Sequence, residues 1–214
     1  ISFRSNPDKP FVVTIGAELA AQFGGTKRYY EKGILIDSLT MKSPTRLKDF
    51  FKILFPSSGD GQTNEGDQAY YYGNHVGQWN LSAEYRFKDN SSVRGYFEWY
   101  FDDASGMGKF NGWDGLWGLE YKSGKKNWLS NVVLEYLDMT NQSGPLNWCP
   151  SDYNDPKLDI EATGADDYYN NYFYNGWAHY GLSNGTAMAK SLLYNTDGYM
   201  RYKHNRIRGV HLGA

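Results

Sequence analysis

From Phe11 to Phe23 every odd position is apolar (Phe11, Val13, Ile15, Ala17, Leu19, Ala21, Phe23), while the even positions hold Val12, Thr14, Gly16, Glu18, Ala20 and Gln22. A period of two sustained over that length describes a strand with one greasy side. Soluble strands run about 5–6 residues, whereas a tilted bilayer crossing needs about 9–11. The length points to a membrane strand. The pattern by itself fits equally a soluble β-sandwich or a lipocalin-like barrel whose apolar sides point into a core.

The same sorting recurs along the chain. Trp79, Leu81, Ala83, Tyr85 and Phe87 oppose Gln78, Asn80, Ser82, Glu84, Arg86 and Lys88; after Asp89-Asn90-Ser91, Val93, Gly95, Phe97, Trp99 and Phe101 oppose Ser92, Arg94, Tyr96, Glu98 and Tyr100. The polar triplet predicts a hairpin. A three-residue turn pairing Lys88 with Ser92 keeps both apolar sets on one face and makes Glu84 and Arg94 diagonal neighbours on the other. Further strands are predicted over 114 to 122 (Trp117, Leu119, Tyr121) and 128 to 138 (Trp128, Val132, Leu134, Tyr136), joined through Ser123-Gly124-Lys125-Lys126. A last one covers about 199 to 212, with Arg206 and Arg208 on one face and Ile207 on the other.

The joins at 5 to 10, 89 to 91 and 123 to 127 are short, and those at 24 to 77, 102 to 113 and 139 to about 198 are long. Strict short–long alternation is the habit of outer-membrane barrels, with turns on the periplasmic side and loops outside the cell. Within the first long join, Leu47, Phe50, Phe51 and Leu54 fall at helical spacing, with Ser43 as N-cap, Pro44 at the first helical position and Pro56 beyond the end. This predicts an amphipathic helix over 44–55. A loop helix covering the barrel mouth or packing into the lumen is expected over a membrane-surface anchor, because Lys48 and Lys52 are balanced by Asp49 and the helix is short.

Composition narrows the classes. With 22 Lys+Arg against 24 Asp+Glu, the charge of −2 carries no nucleic-acid footprint. The chain holds 19 Tyr, 11 Phe and 7 Trp at a mean hydropathy of −0.68, too ring-rich for a disordered segment. The single Cys149 excludes a disulfide scaffold, and no run of about 18 apolar residues offers a transmembrane helix. A membrane β-barrel survives these tests, since only alternate residues of its strands face lipid. Glu18, Glu84, Arg86, Arg94, Glu98, Glu120 and Glu135 on the opposite faces suit a wet, charge-paired lumen and favour the membrane barrel over the soluble alternatives. About six strands are visible, fewer than the eight of the smallest such barrels, and an unpaired edge is prohibitively costly in lipid. Starting at Ile1 and ending at Ala214 inside a strand pattern, residues 1–214 are expected to be part of a single barrel domain of a longer protein.

His75, His179, His204 and His211 are scattered without metal-ligand spacing, so no metal site is assigned. Cys149 is expected to be a structural thiol, and no Gly-rich phosphate loop occurs. Asp102-Asp103 and Asp166-Asp167 pair carboxylates, as glycoside cleavage requires, but adjacent aspartates more often serve turns, caps or sugar hydroxyls. Residues 165 to 181 are dominated by rings and amides. Aromatic faces stack on the C–H faces of sugars and amides bond hydroxyls, so the segment suits carbohydrate; an aromatic girdle with internal loop packing is the plainer alternative.

Five blocks carry a resemblance: Phe97-Glu98-Trp99-Tyr100-Phe101-Asp102-Asp103-Ala104-Ser105-Gly106-Met107; Asp114-Gly115-Leu116-Trp117-Gly118-Leu119-Glu120; Glu135-Tyr136-Leu137 with Gln142-Ser143-Gly144-Pro145; Tyr168-Tyr169-Asn170-Asn171 with Gly176-Trp177; and Asn205-Arg206-Ile207-Arg208 with His211-Leu212-Gly213. In order and spacing they resemble the capsule assembly protein Wzi family as found in Bacteroidetes-like bacteria. The resemblance implies an eighteen-stranded outer-membrane barrel with a small periplasmic helical bundle. It also implies a lectin-like function, holding exported capsular polysaccharide at the cell surface without bond chemistry. The chain is shorter than the family pattern and would cover its middle and later strands.

The expectation is thus an all-β, antiparallel transmembrane barrel, monomeric and partial in this chain, seated in outer-membrane lipid and binding capsular polysaccharide or exopolysaccharide without cofactor. Trp113, Tyr168, Tyr169, Tyr172 and Trp177 are expected as stacking platforms, and Asp102, Asp103, Asp166, Asp167, Asn170, Asn171 and His179 as hydrogen-bonding groups. These sites come from loop chemistry and not from the resemblance. A sugar or solute channel and a polysaccharide-cleaving enzyme are the alternatives.

Overall fold

The computed structural model describes residues 1–108, 111–125, 128–148, 162–171, 173–174 and 176–214. The alternating segments form strands β1 (Ser2–Arg4), β2 (Phe11–Gln22), β3 (Asn74–Arg86), β4 (Ser92–Asp102), β5 (Gly115–Lys122) and β6 (Asn131–Asp138). A separate ribbon of β7 (Ser143–Trp148) and β8 (Ala162–Asp166) follows, then β9 (Arg208–Gly213). One antiparallel sheet runs in the order β1-β2-β3-β4-β5-β6-β9, open at β1 and β9. Helices α1 (Leu47–Leu54) and α2 (Glu65–Ala69) lie in the connection from β2 to β3. Among the described residues no helix is long and apolar enough to cross a membrane.

Register carries the alternation across the sheet. Phe11, Tyr85, Val93, Tyr121 and Val132 line up in one row; Val13, Ala83, Gly95, Leu119, Leu134 and Leu212 in the next; Ile15, Leu81, Phe97, Trp117, Tyr136 and Val210 in a third. This face is open: Phe11 is 56% and Ile15 50% exposed. Rings collect at both ends of it, with Tyr85 edge-on to Phe87 at 5.0 Å near the short turns. Trp79 lies 6.3 Å from Trp99, and Phe97 is stacked on Trp117 at 4.0 Å, nearer the long connections. The middle row is aliphatic.

The other face is polar and internally paired. Glu84 takes Arg86 at 2.8 Å and Arg4 at 3.8 Å, and Glu120 takes Arg94 at 3.1 Å and Lys122 at 3.2 Å. Glu135 meets His211 at 2.8 Å and accepts the Tyr96 hydroxyl. Tyr96 reaches Glu135 on the second strand along because Gly118 lies under its ring; a Cβ there would stand 2.0 Å from the ring. Toward the long connections this face turns apolar at Val76, Tyr100, Leu116 and Leu137, where the core of the molecule gathers.

Three expectations are corrected. The hairpin pairs Arg86, not Lys88, with Ser92, so Glu84 sits directly opposite Arg94. The turn is shifted back by one residue, with the Phe87 N–H on the Ser91 carbonyl at 2.9 Å, Asp89 accepting the Ser91 N–H and hydroxyl at 3.0 and 2.6 Å, and Asn90 at φ +66°. The last strand covers only Arg208–Gly213, with Arg208 on the face of Val210 and Leu212; residues 201–206 are drawn off into the loop body described below. Helix α1 begins at Leu47 rather than 44, because Asp49 reaches back to the Arg46 N–H at 2.8 Å and Arg46, not Ser43, is the N-cap. Its Leu47, Phe50, Phe51 and Leu54 are exposed.

Candidate functional site

The long segment after β8 folds back over the polar face. Tyr168, Tyr169, Ala189, Leu192 and Tyr202 from that segment pack with Leu137 and Met139, and Val76, Tyr100, Leu116, Trp177, Ala178 and Ile207 close around them. Gly176 makes the approach possible: it holds φ +72°, and a Cβ would lie 2.4 Å from the Tyr169 carbonyl oxygen. Two bonds tie the body to the far strands, Gln22 Nε2 to the Gly176 carbonyl at 3.1 Å and Asn171 Nδ2 to Asn74 Oδ1 at 3.2 Å.

Buried polar groups fix its position. The Tyr168 hydroxyl donates to Asp114 Oδ2 at 3.1 Å and accepts from Asn111 Nδ2 at 2.7 Å. Backbone N–H groups complete the frame, Tyr168 N to Gln142 Oε1 at 3.0 Å and Tyr169 N to Asp102 Oδ2 at 2.6 Å. Burial pushes the Tyr169 phenol up to about 12 and raises that of Tyr168 further, so both remain neutral donors. Burial likewise lifts Asp114 above the usual carboxylate range, against the amide donors of Asn141.

Tyr168 (0% exposed) and Tyr169 (6%) are therefore core residues, which corrects their expected place as open stacking platforms. Asp102 is buried and holds the Tyr169 N–H. Asp103 turns to the His75 N–H at 3.0 Å, so the adjacent carboxylates serve different segments. Asn170 clamps Tyr202 through Oδ1 to its N–H and Nδ2 to its carbonyl, both at 2.8 Å. Asn171 Oδ1 accepts the Phe173 and Tyr174 N–H groups at 2.8 and 3.0 Å. Trp177 packs against the core cluster, and His179 is exposed, edge-on to Tyr180 at 4.5 Å. Trp113, 72% exposed, belongs to the other face, where its ring continues the Phe97–Trp117 row at 5.5 Å from Trp117. Asp166 ends β8 opposite Ser143; Tyr172 and Cys149 lie outside the described residues.

A cleft of about 780 Å³ opens on this body, beside a smaller one of about 470 Å³ where Tyr168, Tyr169 and Thr186 face β2 and β3. The amide side of the larger cleft is Asn170, Asn205 and Gln142, with Asp167 held by Asn170 at 2.7 Å and by Asn205. Its other side is formed by Arg201, His204 and Arg206, all exposed. Lys203 also lines it and is engaged by Asp197, whereas among the described residues neither Arg201 nor Arg206 has a carboxylate within 4.0 Å. Sequence reasoning caught Asp167 and Asn170 but missed the cations, which it had assigned to a strand. The signal was the density of Arg201, Lys203, His204, Arg206 and Arg208 within eight residues. Two guanidiniums beside fixed amides can take carboxylates and hydroxyls together. Comparison with protein-family models, with curated proteins and with solved structures gives no match.

Proposed function

We propose that this sheet is part of the wall of an outer-membrane β-barrel that holds capsular polysaccharide at the cell surface, non-covalently and without cofactor, as the Wzi-family resemblance implies. The observation that carries the reading is the division of one sheet into an exposed apolar face and an ion-paired polar face covered at one end by a loop body. Strands of 12 and 13 residues at about 3.4 Å rise span about 29–31 Å when tilted by about 45°, enough to cross an apolar band of about 25 Å. In a bilayer the edges at β1 and β9 cannot stay unpaired, so the proposal requires further strands beside both.

The glycan contact is the cleft of Asp167, Asn170, Arg201, His204, Asn205 and Arg206. Bond cleavage is not proposed, because Asp102 and Asp103 are committed to backbone groups on different segments rather than flanking a common space. Replacing Arg201 and Arg206 together by Gln in the full-length protein should release surface polysaccharide into the medium while barrel abundance in the outer membrane stays level. Retention equal to wild type would remove the cleft from the mechanism.

A further inference from the structure

Helix α1 is turned the wrong way round for a loop helix that serves a core. Its buried residues are Asp49 and Ile53, while Leu47, Phe50, Phe51, Leu54 and the following Phe55 are 48–75% exposed. The polar side is spoken for: Asp49 binds the Arg46 guanidinium at 2.7 and 2.8 Å, and Asp60 gathers Arg46 and Lys48 at 2.9 Å and Lys52 at 3.6 Å. Those cations hold Asp49 and Asp60 well below the usual carboxylate range. The orientation is therefore fixed by ion pairing beneath the helix. It is not an accident of a loosely held loop.

Position supplies the occupant. The Ile53 carbonyl lies 3.4 Å from His75 Nε2, and His75 is an odd position of β3, on the same face as Trp79 and Leu81. The Ile53 side chain fits over Gly73, where a Cβ would meet Ile53 Cδ1 at 2.5 Å and Phe23 Cβ at 3.4 Å. Phe23 is the last residue of the greasy alternation and is itself exposed. So α1 stands at the end of the sheet's apolar face, and its own apolar residues extend that face beyond the strands.

We propose that α1 is an interfacial foot, lying on the lipid surface at the rim of the barrel with Phe50, Phe51, Leu47 and Leu54 in the boundary between headgroups and acyl chains. This rests on the outer-membrane reading. Lipid is the occupant because the surface is continuous with the band the strands would present to lipid. The salt-bridged side, with Lys48 exposed, turns away from it.

The test uses the full-length protein with its Cys149 replaced by Ser, reconstituted in phosphatidylcholine vesicles containing brominated phosphatidylcholine. A fluorescent label is placed in turn at Phe50→Cys, Leu54→Cys, Lys48→Cys and, on the sheet, Leu119→Cys. Bromine should quench the label at positions 50, 54 and 119 at least threefold more than at 48. Quenching at 119 with none at 50 and 54 would overturn the foot and leave the barrel standing. Label–label contact at 50 would then assign the face to a second copy, and shielding from both bromine and aqueous iodide to another segment of the same protein. No quenching at 119 would bring down the outer-membrane reading and the foot with it. The two labels on one helix face keep the result readable if either variant fails to insert.

Discussion

Tyr168 and Arg201 belong to the same loop body and make opposite demands on it. The Tyr168 hydroxyl is buried between Asp114 and Asn111, so Tyr168→Phe leaves a buried carboxylate short of a donor and should cost about 1–3 kcal/mol. Truncation to Ala adds a cavity and should cost about 3–5 kcal/mol. Limited proteolysis of the 167–207 segment would register both. Arg201→Gln removes an exposed cation that has no carboxylate within 4.0 Å among the described residues, and should leave stability within about 0.5 kcal/mol while weakening the polysaccharide retention proposed above. A Tyr168→Phe variant as protease-resistant as wild type would refute the hydroxyl's part in the frame. Asp67 gives a pH test at the same scale. Burial raises its pKa to about 6 from 3.8, so between about pH 4 and 6 the folded state binds more protons than the unfolded one. The loop from Ser57 to Gly73 should therefore lose protection against hydrogen exchange as pH rises through that window, and Asp67→Asn should flatten the dependence. Burial is what the sequence concealed at this scale: a Tyr-Tyr-Asn-Asn run reads alike whether its rings face a sugar or a core. Arg201 and Arg206 were not legible as a lining, because their strand-like spacing continues into β9 and places them on a strand.

Strands announced themselves through the period of two, since each turn of the pleat sends one side chain to either face, and β2 to β6 appear where the alternation puts them. Register was half legible. Parity follows from which residues must share a face, and it holds; the exact pairing of Arg86 with Ser92 depends on the Asp89 turn bonds, which parity does not specify. The helix was legible as a helix, but the direction of its apolar side was not, because the ion pairs to Asp60 join segments 8 to 14 residues apart in sequence. Gly118 shows a dependence between elements. It leaves the space in which Tyr96 crosses β5 to reach Glu135 on β6. Gly118→Ala must push that ring aside at a cost of about 1–3 kcal/mol, and Tyr96→Phe should lose less, since it keeps the ring and gives up only the bond. Thermal unfolding of the two variants in detergent ranks them, and equal stability of Gly118→Ala and wild type would mean that the ring has room elsewhere.

For the whole molecule, alternation dictates that one face of the sheet is greasy but not what covers it, and the described residues leave it open while the core forms on the other face. That inversion bears on whether the proposed barrel would conduct. Val76, Tyr100, Leu116 and Leu137 are polar-face positions recruited into the loop body's core, and Gln22 and Asn74 bond it to the neighbouring ends of β2 and β3 in the same sheet. In the proposed barrel, a body seated on the polar face at the loop end of five neighbouring strands would stand over the lumen mouth. The full-length protein in a planar bilayer should accordingly show little steady conductance. Leu192 is 2% exposed within that core, so Leu192→Ala, at a cost of about 2–5 kcal/mol to the packing, should produce intermittent openings as the body detaches. The comparison separates the proposed tether from a solute channel. A tether needs the body in place and tolerates a closed pore, whereas a solute channel must conduct with the body seated. Steady porin-like conductance of the wild type, unchanged in Leu192→Ala, would make the loop body an edge ornament of an open pore and hand the function to transport.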